Sequence, residues 1–253
     1  MGTRKLYALL EPFMLEHCIK MGRDALFDLL AANNLLIRKR RRSLKTTYSN
    51  HWLRKYSNLV NDYIPRSINQ LWVSDITYWK INDQKHVYIS LVTDAYSRKI
   101  VGYHVAESME AIESLKALQM ALTGLREINC KQLIHHSDRG IQYCSSIYVK
   151  LLQDYGIKIS MTENGDPLEN AIAERVNGIL KDEYLKHYHV NNLAEAKSGL
   201  KKAVEIYNNQ RPHMSVGNLP PSKVHNNHYL KTQRLWKNYF KKLKPMENIT
   251  KSM

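Results

Sequence analysis

The order of strand-like and helical segments constrains the fold of this chain more than any other feature of its sequence. Three runs rich in Val, Ile, Tyr and Thr follow one another, with connections short enough for antiparallel hairpins. Helical and strand patterns then alternate. The three strands are predicted at 71–81, 86–93 and 99–105; later helices at 109–126, 146–155, 168–187 and 193–209; and short strands at 131–135 and 157–161. This order predicts an α/β domain, a mixed sheet flanked by helices.

A chain of 253 residues is long enough for one sizeable core and one or two small accessory modules. No apolar run approaches the roughly 20 residues that a transmembrane helix needs. Residues 1–5 lack the apolar stretch that follows the first residues of a signal peptide. We therefore expect a cytoplasmic protein with no membrane partner. The three cysteines show no CxxC spacing, which disfavours a disulfide framework.

The net charge of +15 is concentrated in two segments. Residues 38–66 carry nine basic side chains and one acidic, and residues 223–253 carry eight and one, while the remainder is balanced. Because cations interleaved with aromatic side chains suit a polyanion, we expect nucleic acid as partner and association with the nucleoid. A solvated tail or a membrane-surface patch is the alternative. The main candidates for phosphate contact are Arg38, Lys39, Arg40, Arg41 and Arg42.

These patterns divide the chain into four regions. Residues 1–37 contain two short amphipathic segments that resemble a helix-turn-helix. They form either a DNA-binding helix-turn-helix or simply a packed helical hairpin. Residues 38–68 are a basic linker, 69–225 the α/β core, and 226–253 a basic C-terminal tail. The apolar positions of the two N-terminal helices are Leu6, Leu9, Leu10, Leu26, Leu29 and Leu30.

Three acidic residues lie where acids are costly or unexpected. Asp75 interrupts the first strand, and Asp138 follows the 131–135 strand at its carboxyl end, where α/β sheets tend to bind ligands. Glu174 points away from the apolar stripe of the 168–187 helix. Each alone has an ordinary explanation: a hairpin edge, a turn cap and a solvated helix face. Together they can converge at a sheet edge and hold two divalent cations for phosphoryl transfer.

The spacing of these acids resembles the D-D-35-E signature of retroviral-integrase-like transposases. There are 62 residues between Asp75 and Asp138, and 35 between Asp138 and Glu174. The resemblance is strongest to the OrfB-type transposases of bacterial insertion sequences, and it covers roughly residues 70–225. It rests on WVSDITYWK, LVTDAYSRKIVGY, HHSDRGIQY, ENAIAERVNGILKDE and YNNQRPHMSVGNLPPSKV. The strand and helix order is also that of ribonuclease H-like domains, which gives the expected integrase-like catalytic core.

The resemblance implies a DNA transposase, a polynucleotidyl transferase that cuts element ends with water and joins a 3′-hydroxyl to target DNA. It implies that Asp75, Asp138 and Glu174 form the catalytic site and bind two Mg²⁺ or Mn²⁺ ions. The implied partners are the element's terminal repeats, target DNA, further copies of the chain in a dimer or higher oligomer on DNA, and an upstream-frame subunit or fusion. Two rival functions stay open: a ribonuclease H-like nuclease without strand transfer, and a catalytically idle DNA-binding remnant.

Other residues of the core have weaker assignments. Lys181, seven residues after Glu174, resembles a family lysine near the DNA end, and an exposed lysine is its ordinary explanation. Asn170 and Asn177 share the face of Glu174 and are further candidates to contact DNA or support the carboxylates. Asp94 is expected to form a turn. Spacing and the resemblance both favour packing over a zinc cluster for His135, His136, Cys130 and Cys144.

Overall fold

The computed structural model describes residues 2–36, 51–61, 63–81, 85–125, 132–163 and 170–227. The run from Arg38 to Arg42 and most of the predicted basic tail lie outside these ranges. The strands are β1 Leu71–Ile81, β2 Lys85–Asp94, β3 Ile100–Ala106, β4 Ile134–Ser137 and β5 Lys158–Met161. The helices are α1 Thr3–Glu16, α2 Arg23–Ala32, α3 Ala111–Thr123, α4 Ile141–Cys144, α5 Ser146–Asp154, α6 Ala171–Glu183, α7 Leu193–Asn209 and α8 Pro221–His225.

The five strands form one mixed sheet in the order β3-β2-β1-β4-β5. The first three strands are antiparallel hairpin neighbours, whereas β4 and β5 run parallel to β1. Parallel neighbours need a crossover, and α3, α4 and α5 lie in those connections. The predicted α/β fold class, a mixed sheet flanked by helices in ribonuclease H-like order, is confirmed.

Apolar side chains cover both faces of the sheet. On one face, α3 packs against β2 and β3, α5 packs against β5, and α4 packs against α3; this core includes Val92, Leu118, Leu133 and Leu152. Gly102 permits this close packing, because a Cβ there would overlap the carbonyl oxygen of Ala117 in α3. The other face carries α6 and α7. Its core includes Trp79, Val87, Ile89, Leu91, Val176, Ile179, Leu180, Leu200, Val204 and Tyr207.

The structure shifts two predicted elements in the catalytic half of the core. The strand predicted at 131–135 is Ile134–Ser137, so Asp138 is the first residue beyond it. The helix predicted at 168–187 is Ala171–Glu183, because Tyr184 leaves helical geometry and a short 3₁₀ turn, Leu185–His187, follows. The extra helix α4 stays separate from α5, since Ser145 between them is extended. Side-chain periodicity does not reveal such end points, which depend on local backbone geometry.

The N-terminal region forms the two predicted helices, and they pack against each other. Their apolar faces differ from expectation: Leu26 is buried, whereas Leu9 and Leu29 are exposed. No helix in the described ranges is both long and apolar enough to cross a membrane.

Much of the second half of the predicted linker lies against the core rather than spanning open solvent. Leu53 and Tyr56 pack on the apolar face that contains α5. The backbone N–H of Leu59 donates to Ser160 Oγ at 2.8 Å, and that of Asn58 donates to Glu163 Oε1 at 2.9 Å. Residues 51–61 therefore follow the carboxyl end of β5.

Candidate active site

The register of the parallel pair brings Asp75 and Asp138 to one edge of the sheet. Val73 in β1 is paired with His136 in β4, and each aspartate lies two residues beyond its member of that pair. Because side chains alternate along a strand, both aspartates continue the same face as Val73 and His136. That face is covered by α6, the helix that carries Glu174. Three elements thus direct the three predicted acids to one region.

Asp75 is held by two hydrogen bonds. Its Oδ2 accepts from Asn177 Nδ2 at 2.7 Å, and its Oδ1 accepts from the backbone N–H of Ile76 at 2.9 Å. Burial, and then the negative charges of Asp138 and Glu174, nevertheless raise the pKa of Asp75 to about 7, although the two hydrogen bonds oppose the shift. The carboxylate is therefore well oriented, but its ionised form is destabilised. A nearby cation would stabilise the ionised form.

Asp138 and Glu174 complete the acidic group. Asp138 Oδ1 accepts the backbone N–H of Gly140 at 2.9 Å, which orients the carboxylate just after β4. Glu174 lies in the first turn of α6 with its side chain largely exposed; its partial loss of solvent and then repulsion from Asp138 raise its pKa. No three His, Cys, Asp or Glu side chains in the described part of the chain are already grouped closely enough to ligate one ion. The donors are nevertheless carboxylate oxygens, the ligands that Mg²⁺ and Mn²⁺ prefer, so the residues fit a hard divalent cation.

The predicted DNA-binding residues on α6 and just before it make contacts within the protein. Asn170 is buried, and its amide donates to the carbonyl of Ser74 at 3.0 Å. Asn177 is also buried and donates to Asp75. Lys181 Nζ donates to Thr77 Oγ1 at 3.2 Å and lies 3.9 Å from the centre of the Tyr78 ring. The two asparagines thus position β1, while direct contact of Lys181 or the asparagines with DNA stays a prediction.

Lys181 also lines an open cleft of about 650 Å³ beside the end of α6. The cleft is lined by further groups able to contact a phosphate or a base, and these include Lys80, Lys186, Tyr188 and His189. Lys181 thus shares this cleft with other basic and aromatic side chains and with Asp182.

We expect Asn177→Ala to raise the Mg²⁺ concentration for half-maximal DNA cleavage by about 10- to 100-fold, the usual effect of removing a group that orients a metal ligand. The physical reason is that Asp75 loses its 2.7 Å amide donor. Affinity for DNA without metal should stay unchanged. Asn209→Ala, at an exposed asparagine that ends α7, is the matched control. A weaker DNA affinity with unchanged metal dependence would instead make Asn177 a DNA contact.

Beneath the acidic edge, polar side chains form a buried network that sequence reasoning missed. Ser74 Oγ lies 2.8 Å and Tyr148 Oη 3.0 Å from His135 Nε2. His136 Nδ1 lies 2.8 Å from Ser160 Oγ. Burial lowers the pKa of His135 to about 3, so its ring is neutral and accepts hydrogen bonds. Both histidines are packing residues, as predicted, and the motif HHSDRGIQY was the sequence signal for them.

The former zinc candidates and Asp94 also have defined surroundings. Cys144 is buried, which raises the pKa of its thiol to about 11 and keeps it protonated. Cys130 lies outside the described ranges. Asp94 forms the predicted turn, because its Oδ1 accepts from both the backbone N–H and the hydroxyl of Ser97 at 2.7 Å.

A buried ion pair links α6 to the segment after α7. Arg211 Nε and Nη2 donate to the two carboxylate oxygens of Glu183 at 2.7 and 2.9 Å, and the arginine side chain is fully buried. Lys5 of α1 lies near the same pair, where burial and the charge of Arg211 lower its pKa to about 8. This pair fixes the helix that carries Glu174. The motif YNNQRPH contained Arg211, but sequence alone did not reveal its partner.

The chain is similar to proteins of known families. An integrase core domain model matches residues 65–167, and a second integrase core domain model matches residues 155–221. The uncharacterized 31 kDa protein of insertion element IS600 from Shigella sonnei is 40% identical over 223 residues, covering 87% of this chain and 79% of that protein. The transposase for insertion sequence element IS629 from Shigella sonnei is 31% identical, covering 90% and 74%.

Solved structures show the same fold. The HTLV-2 integrase catalytic core domain, solved with magnesium in a dimeric form, has a TM-score of 0.50 at 19% identity, covering 63% of this chain and 98% of that chain. A chain of the simian T-cell lymphotropic virus intasome, solved with a PP2A regulatory subunit, has a TM-score of 0.54 at 14% identity, covering 94% and 79%. These structures show the fold. The two integrase core domain models and the identity with the two insertion-element proteins establish that the chain belongs to the integrase-core family of insertion-sequence transposases.

Proposed function

We propose that this chain is a DNA transposase that cuts DNA at the ends of an insertion sequence and joins the resulting 3′-hydroxyl to target DNA. The observation that carries the proposal is geometric: the pairing of β1 with β4 brings Asp75 and Asp138 to one edge of the sheet, and Asn177 of α6, the helix that carries Glu174, donates to Asp75. Three acids that repel one another at a sheet edge cost stability unless a bound cation compensates for them. Family membership supports the same chemistry.

The proposed cofactors are two Mg²⁺ or Mn²⁺ ions bound by Asp75, Asp138 and Glu174. Bound there, they would supply an activated attacking hydroxyl and stabilise the leaving oxygen during transfer at phosphorus. The protein contributes orientation, since Asn177 and the backbone of Ile76 hold the Asp75 carboxylate and Gly140 holds Asp138. Such preorganisation lowers the barrier without a covalent intermediate.

The proposed partners are the element's terminal repeats, target DNA and further copies of this chain. Two element ends require two active sites, so we propose a dimer or a higher oligomer on DNA. The dimeric form of the HTLV-2 integrase core and the viral intasome are related by fold and support this arrangement. A subunit or fusion from an upstream reading frame is part of the proposal, because two short N-terminal helices contact few bases.

The experiment combines purified chain, oligonucleotides that mimic pre-cut element ends, plasmid target and Mg²⁺ or Mn²⁺. Joined products that require the metal and the 3′-hydroxyl are the expected result. Hydrolysis without joining would favour the ribonuclease H-like nuclease. DNA binding without any metal-dependent product, also in the presence of the upstream-frame protein, would favour the idle DNA-binding remnant.

We expect the basic segments to supply most of the non-specific DNA affinity. If about six of their cations contact duplex phosphates, the slope of log K against log salt is about −5, from roughly 0.9 per phosphate. Replacing Arg38, Lys39, Arg40, Arg41 and Arg42 with alanine should flatten that slope. Fluorescence anisotropy over a salt series measures it, and an unchanged slope would show that the arginine run is only solvated.

A further inference from the structure

Trp52 is the most exposed large apolar side chain in the described part of the chain, at 91% of its full accessibility. Tryptophan has a large apolar surface and is highly buried on average in folded proteins. The two other tryptophans in the described ranges, Trp72 and Trp79, are buried. A single exposed apolar side chain is ordinary at a protein surface, so the surroundings of Trp52 decide whether it has a role.

The backbone around Trp52 is anchored on both sides. The preceding residue, His51, makes a 2.8 Å hydrogen bond through Nε2 to the carbonyl of Arg139, the residue immediately after Asp138. The following residue, Leu53, packs on the apolar core together with Tyr56. The exposure of Trp52 therefore does not come from a loose loop tip. The indole is presented next to the segment that carries a metal-binding candidate.

Cations lie close to Trp52 along the chain and at Arg139, the residue that His51 contacts. Arg54 and Lys55 are exposed on the same segment, and the Arg54 guanidinium lies 5.2 Å from the centre of the Tyr56 ring. Lys55 and Arg139 both act electrostatically on the Cys144 thiol, so the two side chains share one region of the surface. Within the described ranges, Arg139 Nε has no hydrogen-bond partner. We call Trp52, Arg54, Lys55 and Arg139 the Trp52 patch.

We propose that the Trp52 patch holds the DNA strand that enters the acidic site, with the indole stacked on an unpaired base beside the reacting phosphate. Stacking on an aromatic ring accepts any base, and the three cations suit the adjoining phosphates. Such cations are needed there because Asp75, Asp138 and Glu174 repel a phosphate. The charge of the patch favours DNA over a protein partner. This inference rests on the proposed function, since it assigns the patch to the substrate of that site.

The test compares binding of the full chain to two labelled DNAs without divalent metal: a blunt duplex, and a forked duplex of the same sequence with unpaired terminal bases. Fluorescence anisotropy measures both affinities. Trp52→Ala should weaken binding to the forked duplex about tenfold and to the blunt duplex less than twofold. Trp52→Tyr should restore most of the loss, because tyrosine also stacks. Tyr155→Ala is the matched control, an exposed aromatic at the amino-terminal ends of the parallel strands.

Equal affinities of wild type and Trp52→Ala for the forked duplex would overturn the proposal, and so would equal losses on both DNAs. Sedimentation of the same variants without DNA adds a third outcome: reduced self-association with unchanged DNA affinity would make the patch a protein interface and would also overturn it. Because the measurement omits metal, it is independent of cleavage. If binding to the forked duplex depends on Trp52 but the chain never joins DNA, only the proposed function is refuted. If the chain joins DNA but its affinity for the forked duplex does not depend on Trp52, only this inference is refuted.

Discussion

Asp138→Asn should reduce metal-dependent cleavage and joining by about 10³-fold or more, because it removes one carboxylate ligand of the proposed metal site. The fold should survive. The amide oxygen of asparagine can still accept the Gly140 N–H that Asp138 Oδ1 accepts at 2.9 Å. DNA binding without metal should be unchanged or tighter, since one negative charge beside the phosphates is gone. Single-turnover cleavage at saturating Mg²⁺ and anisotropy without Mg²⁺ measure the two effects.

Asp154→Asn is the matched control for that variant. Asp154 is an exposed aspartate that ends α5, and its helix precedes the amino-terminal end of β5, away from the acidic edge. The Asp154→Asn variant should cleave DNA at the wild-type rate. Wild-type cleavage by Asp138→Asn would exclude the assigned triad, whereas loss of both cleavage and metal-free DNA binding would indicate damage to the fold.

Arg211→Met should lower the free energy of unfolding by about 3–5 kcal/mol, the usual cost of removing one partner of a buried ion pair. The Arg211 side chain is fully buried and donates two hydrogen bonds to Glu183. Methionine replaces the unbranched aliphatic part of the side chain but leaves the Glu183 carboxylate without its cation. Urea denaturation measures the change. Arg23→Met, which breaks an exposed pair with Asp24, should change stability little.

The double variant Arg211→Met with Glu183→Gln should recover part of that loss, because no unpaired charge stays buried. pH dependence gives a second check. Burial opposes ionisation of Glu183, yet the hydrogen bonds and charge of Arg211 outweigh it and lower the pKa of Glu183. The stabilisation is therefore complete above the unfolded pKa of about 4.3 and is lost as the pH falls through the folded value. A stability gap between wild type and Arg211→Met that is independent of pH would contradict this account.

Strong periodicity is sufficient to predict the bounds of two elements. The strand predicted at 71–81 and the helix predicted at 193–209 have those same bounds in the structure. At the ends of both elements the periodic spacing of apolar residues stops, and this spacing is the signal that the prediction uses. The short strand β4 and the ends of α6 were placed less well. A four-residue strand has no period to read, and the end of α6 depends on the backbone at Tyr184.

The sequence by itself determined the strand and helix order, the charge segregation and the three acids whose spacing is typical of this family. Each of these follows from residue type and position along the chain. Only the tertiary structure decided which side chains touch. Asn177 meets Asp75 across 102 residues, Arg211 meets Glu183 across 28, and His51 meets Arg139 across 88. Such contacts depend on how faces pack and in which register strands pair, and local propensities contain no information about either.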